Sequence, residues 1–369
     1  LPCIPAMLLC YWCFGYGAWL CLALMLAAGI IAHHQKLSAL LAAGILLLPA
    51  TQYPATTWWS KPDLDREYVL SLDVEHYFGN IQKMRKHLET DRQILWVTYY
   101  RNLYNATHPS EINSPVSLSR NLLAWNQPGT NGLILPVNPS ASFLSILFAN
   151  ELWFTLGDMT MAEHCAMLSM IFSPRNSGSR MIKRLAEINL VNGDDEAALK
   201  YLRILDKTLL HKSWAEKRIP GQQTPRVKEW LEKKRRDIPT QDHLRSGNDA
   251  VTSLRNLVAS NAGNLRAYEY LLCYHLLSKD LRSFVEDYVP GKVSSSIFAE
   301  ALLIHLARQG NIRAEELIKY QIPVKIAKEF ADYTRLYEAK DTSLKEKYGK
   351  TYWFYYHFAT TEPGKESKP

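Results

Sequence analysis

The apolar and polar positions divide the chain into two regimes. From Leu1 to Ala32 no Lys, Arg, Asp or Glu occurs, His33-His-Gln-Lys36 breaks the run, and apolar residues resume from Leu37 to Ala50. About 20 apolar residues span a bilayer as a helix, so a first span is expected within residues 6–32. The second starts at Leu37 and reaches crossing length only by continuing past Pro49 and Pro54 to Trp58-Trp59. Trp and Tyr favour the headgroup level, which makes Tyr53, Trp58 and Trp59 the exit belt. A re-entrant segment is the alternative for this second run. A cleaved signal peptide fits less well, because a basic n-region is missing and a second apolar run follows.

Beyond Trp59 the period changes. Apolar residues recur at intervals of three and four, as in Met181, Leu185, Ile188 and Val191; Leu199, Leu202, Leu205 and Leu209; and Phe298, Leu302, Leu303 and Leu306. This spacing predicts amphipathic helices and few strands. A turn signature also recurs: Gly157-Asp158 precedes Ala162, and Gly193-Asp194 precedes Ala198 at the same interval. Gly ends the first helix in the left-handed conformation, Asp caps the second, and Ala allows the pair to approach closely, with Pro174 ending the second helix of the first pair. The interval is near that of the tetratricopeptide repeat, about 34 residues. Gly79-Asn80, Lys279-Asp280 and Gly310-Asn311 separate weaker helix pairs. Two stretches interrupt the pattern. Residues 108–140 are rich in Pro, Ser and Asn, with one short helix expected at Leu118–Trp125. Residues 219–248 hold a helix at Arg226–Arg235, capped by Thr224. The fold expected is all-α: transmembrane helices in 1–60, a tetratricopeptide-like α-solenoid of irregular hairpins in 61–360, and a disordered tail in 361–369. The chain begins Leu1-Pro-Cys3 and not with Met, so earlier segments are expected.

Composition sharpens this division. Residues 1–60 carry a single formal charge, Lys36, whereas the rest has a water-soluble composition and the chain totals +7. The same excess lies between Lys207 and Arg236, where ten Lys or Arg meet three Glu. The plain reading is a solvated helix end, since cations favour a helix C-terminus. The sharper one is a patch for anionic lipid headgroups at Lys228, Lys233, Lys234, Arg235 and Arg236. Nucleic acid is disfavoured, because the remainder lacks an extended basic face. Cys10-Tyr-Trp-Cys13 has redox spacing but falls in the apolar head, where packing is the expected role. Cys165 and Cys273 are expected as buried free thiols. The aromatic run Tyr352–Phe358 reads as a helix packed on the last hairpin, with membrane docking as the alternative.

No zinc-protease spacing, phosphate-binding glycine loop or nucleophile elbow occurs, so neither a cofactor nor a metal is expected. Asp73 and His76, three apart, are expected as a surface pair, and Asn105-Ala-Thr107 matches a glycosylation triplet. The segments Lys183-Arg-Leu-Ala-Glu-Ile-Asn-Leu-Val-Asn-Gly193, Ala198-Leu-Lys-Tyr-Leu202 and Asn264-Leu-Arg-Ala-Tyr-Glu-Tyr-Leu-Leu272, with the aromatic tail, resemble bacterial multi-pass membrane proteins of unknown function that carry a tetratricopeptide-like C-terminal region. That resemblance implies further spans upstream and supplies no catalytic residues. The function expected is a scaffold of the bacterial cytoplasmic membrane, with its helical domain outside the cytoplasm. It would hold a protein or peptide partner in the groove between first helices, lined by Asn150, Lys183, Glu187 and Asn189. The alternative is the C-terminal part of a polytopic transferase acting on lipid-linked substrates, with its catalytic residues upstream.

Overall fold

The structure is a computed structural model that describes residues 63–89, 94–107, 130, 132–135, 137, 143–173, 178–241, 249–310 and 312–359. The expected spans within 1–60, the helix at Leu118–Trp125, Pro174 and the tail 361–369 lie outside these residues. Among the described residues every regular element is a helix, and no helix is long and apolar enough to cross a membrane.

The chain divides into two compact units, Leu1–Asn80 and Ile81–Pro369. The first contributes α1 (Asp63–Tyr77). Val69, Leu72 and Asp73 are buried along one stripe. Asp73 is therefore not the surface residue expected from its pairing with His76. Gly79 closes the helix at φ +69°, and the Asn80 N–H reaches back to the Glu75 carbonyl (2.8 Å).

The second unit begins with α2 (Ile81–Leu88), α3 (Leu95–Thr107), α4 (Phe143–Leu156), α5 (Met159–Phe172), α6 (Ser179–Asn192) and α7 (Asp195–Asp206). A short α8 (Lys212–Glu216) and α9 (Pro225–Arg235) precede α10 (Ala250–Ser260), α11 (Leu265–Leu277), α12 (Leu281–Asp287) and α13 (Ser296–Arg308). The chain then forms α14 (Ala314–Lys319), α15 (Val324–Glu338), α16 (Leu344–Tyr348) and α17 (Tyr352–Phe358). Sequence neighbours pack on one another: α4 on α5, α5 on α6, α6 on α7 and α10 on α11.

The repeated turn performs as its residues predict. Gly157 and Gly193 take φ +93° and +83°. The amides after them reach the Trp153 and Asn189 carbonyls at 3.0 and 2.9 Å, the bond pattern that satisfies orphan carbonyls at a helix end. Asp158 accepts from the Met161 amide (2.8 Å) and Asp194 from the Ala197 amide (3.0 Å). Ala162 and Ala198 are fully buried. Asp280 caps α12 likewise, through the Ser283 amide (3.0 Å). Lys279, Gln321 and Lys340 hold the left-handed conformation without being glycine.

Most expected stripes are buried: Met181, Leu185, Ile188 and Val191, and likewise Phe298, Leu302, Leu303 and Leu306. Leu209 is the exception, because α7 stops at Asp206 and leaves it in solvent. Cys165 and Cys273 are buried free thiols. Asn105 is buried within α3, where a glycan has no room. Thr224 occupies the position before α9, but its side chain makes no capping hydrogen bond. The described part of the loop before α4 is core and not a surface interruption: Leu133 and Leu135 are buried, the Tyr270 hydroxyl donates to the Leu133 carbonyl (2.6 Å), and the Asn102 amide donates to the Gly132 carbonyl (2.9 Å).

At the far end α17 packs on α13 and α16. Trp353 is buried among Phe330, Tyr333 and Tyr348, with ring centroids 5.2, 5.5 and 5.9 Å away. Its indole N–H donates to the Glu300 carbonyl (3.0 Å). The Tyr352 and Tyr355 hydroxyls donate to the Leu276 and Leu277 carbonyls, each at 2.8 Å, at the end of α11.

Candidate functional site

On α6, Arg180, Lys183, Arg184 and Glu187 are spaced by three and four residues and so share one helix face. Packing through α5 brings that face to Glu151 of α4. The Glu151 carboxylate is nearly buried, its side chain 7% exposed. One of its oxygens accepts from Arg180 Nη2 (2.8 Å) and the other from Arg184 Nη2 (2.5 Å). Arg184 also donates to Glu187 (2.9 Å). A buried carboxylate persists only when paired in this manner.

Aromatic rings lie beneath the charges. The Arg184 guanidinium sits 3.9 Å from the Phe154 ring centroid, the Lys234 ammonium 4.5 Å from it, and Trp230 stacks on the same ring at 6.3 Å. Beside them Trp214 of α8 meets the Lys183 ammonium at 5.2 Å and the Arg218 guanidinium at 4.1 Å. Such contacts contribute roughly 0.5–2 kcal/mol each, more when water is excluded. Burial lowers the Lys183 and Arg218 pKa values, partly offset by Glu187. Lys234 is pushed down to about 8 by burial first and then by Arg266 and Arg184. Among the described residues six cations (Arg180, Lys183, Arg184, Arg218, Lys234 and Arg266) thus lie near three carboxylates (Glu151, Glu187 and Asp237) in this half-buried region.

The structure puts the basic segment to two uses. Lys234 Nζ donates to the Phe154 carbonyl (3.3 Å), Arg266 Nη1 to Thr155 (3.0 Å) and Asn264 Nδ2 to Leu156 (2.7 Å). Arg235 donates to the Val191 and Leu190 carbonyls at 3.0 and 2.8 Å. These are the last carbonyls of α4 and α6, which lack intrahelical partners and carry the negative end of the helix dipole. The end of α9 thus straps two hairpins together. Gly157 makes room for it: a Cβ there would lie 2.2 Å from the Asp237 carbonyl oxygen. Of the five expected patch residues, Lys228, Lys233, Arg235 and Arg236 are exposed and Lys234 is half-buried.

The groove candidates also separate. Asn150 is fully buried, its amide donating to the Ala162 carbonyl (2.5 Å) between α4 and α5. Asn189 donates to the Leu185 carbonyl (2.7 Å) of its own helix. Both side chains are tied up in helix contacts and line no groove. Lys183 and Glu187 lie on the charged face. Sequence reasoning missed Glu151, Arg180, Arg184, Arg218 and Arg266, although the run Arg180-x-x-Lys183-Arg184-x-x-Glu187 carries a readable charge period.

The arrangement offers planar donors and rings suited to recognition of anionic groups. Among the described residues no group of three His, Cys, Asp or Glu side chains could hold a metal. The chain belongs to a family of unknown function (DUF6057), whose model matches residues 37–359. No curated protein and no solved structure matches it.

Proposed function

We propose that this protein is a membrane-anchored scaffold of helix hairpins, of tetratricopeptide-like design, that holds an acidic segment of a partner protein. The apolar head supplies the anchor, and the multi-pass, extracytoplasmic arrangement in a bacterial membrane belongs to the same reading. One observation carries it: the face built by α4, α6, α9, α11 and the segment around α8 brings six cations and three carboxylates, among the described residues, over Phe154, Trp214 and Trp230. Half-buried charge of one sign is costly unless a complementary group arrives. Complementary charge across an interface mainly sets specificity and on-rate.

The test is capture of partners from detergent-solubilised membranes with the full chain as bait, comparing wild type with Lys183→Gln/Arg218→Gln. These two side chains rest on Trp214 and do not hold Glu151. The reading expects a reproducible partner with an acidic segment, lost by at least about tenfold in the double variant and in high salt. Capture indifferent to both, or no reproducible partner, overturns it.

A further inference from the structure

We propose that the turn between α7 and α8 is a membrane-docking tip: Leu209 and Leu210 enter the interface of an anionic bilayer while Lys207 and Lys212 meet its headgroups. The leucines are 97% and 85% exposed, the two most exposed large apolar side chains among the described residues. Helical spacing places Leu209 in the core stripe of α7, yet the helix ends at Asp206 and turns it outward. The turn is firmly built. The Thr208 amide and hydroxyl both donate to the Leu205 carbonyl (2.9 and 2.7 Å). The His211 amide donates to the Thr208 hydroxyl (3.2 Å), and the Lys212 amide to the Thr208 carbonyl (3.2 Å). The His211 ring lies 3.2 Å from the Ser179 hydroxyl of α6. Both leucines are thus held in water by a braced turn, against the transfer free energy that buries such side chains.

The surroundings identify the occupant. Exposed Arg203, Lys207, Lys212 and Lys217 flank the leucines along the chain, with exposed Asp206 and Glu216, the latter 4.0 Å from Lys212. Ile204, 43% exposed, adds apolar surface on α7. Trp214, half-buried on α8, has the side chain preferred at headgroup depth. Apolar residues flanked by Lys and Arg fit an anionic membrane surface. The choice of a bilayer over a protein rests on the reading of the first 60 residues as an anchor, which keeps lipid within reach of the domain. The tip adjoins the charged face through Trp214, which the Lys183 ammonium meets at 5.2 Å.

The experiment places a photo-crosslinking amino acid at Leu210 of the full chain, reconstituted in nanodiscs of phosphatidylcholine alone or mixed with phosphatidylglycerol. Adducts are identified by mass, and the same probe at exposed Ile318 sets the background. Lipid adducts above background are expected at Leu210. They should be enriched with phosphatidylglycerol and reduced about fivefold by each of Lys207→Gln and Lys212→Gln, the equivalent of about 1 kcal/mol per basic residue at an anionic surface. Adducts at background, equal labelling in both lipids, or crosslinks to protein in native membranes overturn the proposal. If the chain purifies without detergent, the same probe is read on added vesicles of the two compositions. Docking is then decided whether or not the apolar head is an anchor.

Discussion

Replacing Gly157 with alanine tests the strap directly, and Gly193→Ala is its internal control. Both glycines follow the last residue of a first helix in the left-handed region, at φ +93° and +83°. An L-residue there costs roughly 1–2 kcal/mol, and that is the whole expected cost at Gly193, where an added Cβ meets nothing within 4 Å. At Gly157 the Cβ would also lie 2.2 Å from the Asp237 carbonyl oxygen and 2.8 Å from its carbon. Backbone cannot yield as a flexible side chain does, so the segment after α9 must retreat. That retreat stretches the bonds from Lys234, Asn264 and Arg266 to the Phe154, Leu156 and Thr155 carbonyls. Hydrogen bonds involving charged groups contribute about 1.5–3 kcal/mol each. Losing one brings Gly157→Ala to roughly 3–5 kcal/mol, against about 1–2 kcal/mol for Gly193→Ala. Guanidinium titration of the full chain in detergent, followed by tryptophan fluorescence, gives both values from midpoints at constant slope. Equal destabilisation of the two variants would refute the close approach of Asp237 and the strap with it.

Three further outcomes follow from the same contacts. Glu151→Ala leaves the Arg180 and Arg184 guanidiniums half-buried without their shared carboxylate and should cost about 3–5 kcal/mol, with Glu151→Gln intermediate, in the same titration. Lys234 is held at about 8 against an ordinary 10.5; its charged form is disfavoured in the fold, so the penalty is complete below that lower value and is relieved as pH rises toward the ordinary one. The stability of wild type relative to Lys234→Met should therefore improve by about 3 kcal/mol across that window, and a pH-independent difference would show the ammonium to be solvated. Trp353→Ala should cost about 3–5 kcal/mol by emptying a site lined by three rings, whereas Tyr352→Phe and Tyr355→Phe should each cost about 1 kcal/mol for an orphaned carbonyl; thermal melting ranks the three.

What the sequence disclosed was local. Gly157-Asp158 and Gly193-Asp194 specify their turns through backbone conformation and a side chain three residues from its donor, and the structure matches them bond for bond. Glycine also marks the turns at Gly79 and Gly310, which have positive φ. Gln321 and Lys340 take the same conformation without announcing it, because packing on either side imposes a backbone that their side chains merely tolerate. The cationic face was only half legible. Lys183 and Glu187 stood out as polar positions on a first helix, but Glu151, Arg218 and Arg266 come from three other segments and are brought together by the stack. Asn150 looked like groove lining because polarity alone does not distinguish a side chain bound to a neighbouring helix from one bound to water. The end of α9 was legible as basic, yet the carbonyls it serves, Phe154 and Val191, lie 80 and 44 residues away. The apolar stripe misled at Leu209, where period continued past the helix end.

Several buried polar groups hold one helix against another. His275 is buried against the Asp287 carboxylate (2.8 Å), which also accepts from Arg255 (2.8 Å), while the Asp287 carbonyl accepts from the Tyr268 hydroxyl (3.1 Å). Glu300 receives the Tyr352 amide (2.6 Å), and Tyr333 bonds His357 and the Trp353 carbonyl. Each of these acids and imidazoles is used to fix one helix against another. His275 sits beneath the surface in such a bonded tie. The α9 strap fixes helices in the same way. By binding Lys234 and Arg235 to helix-end carbonyls it sets cations against helix dipoles, which carry no net charge. The cations beside Glu151 are held in place by these bonds, and under the proposed function an acidic partner segment would meet them there.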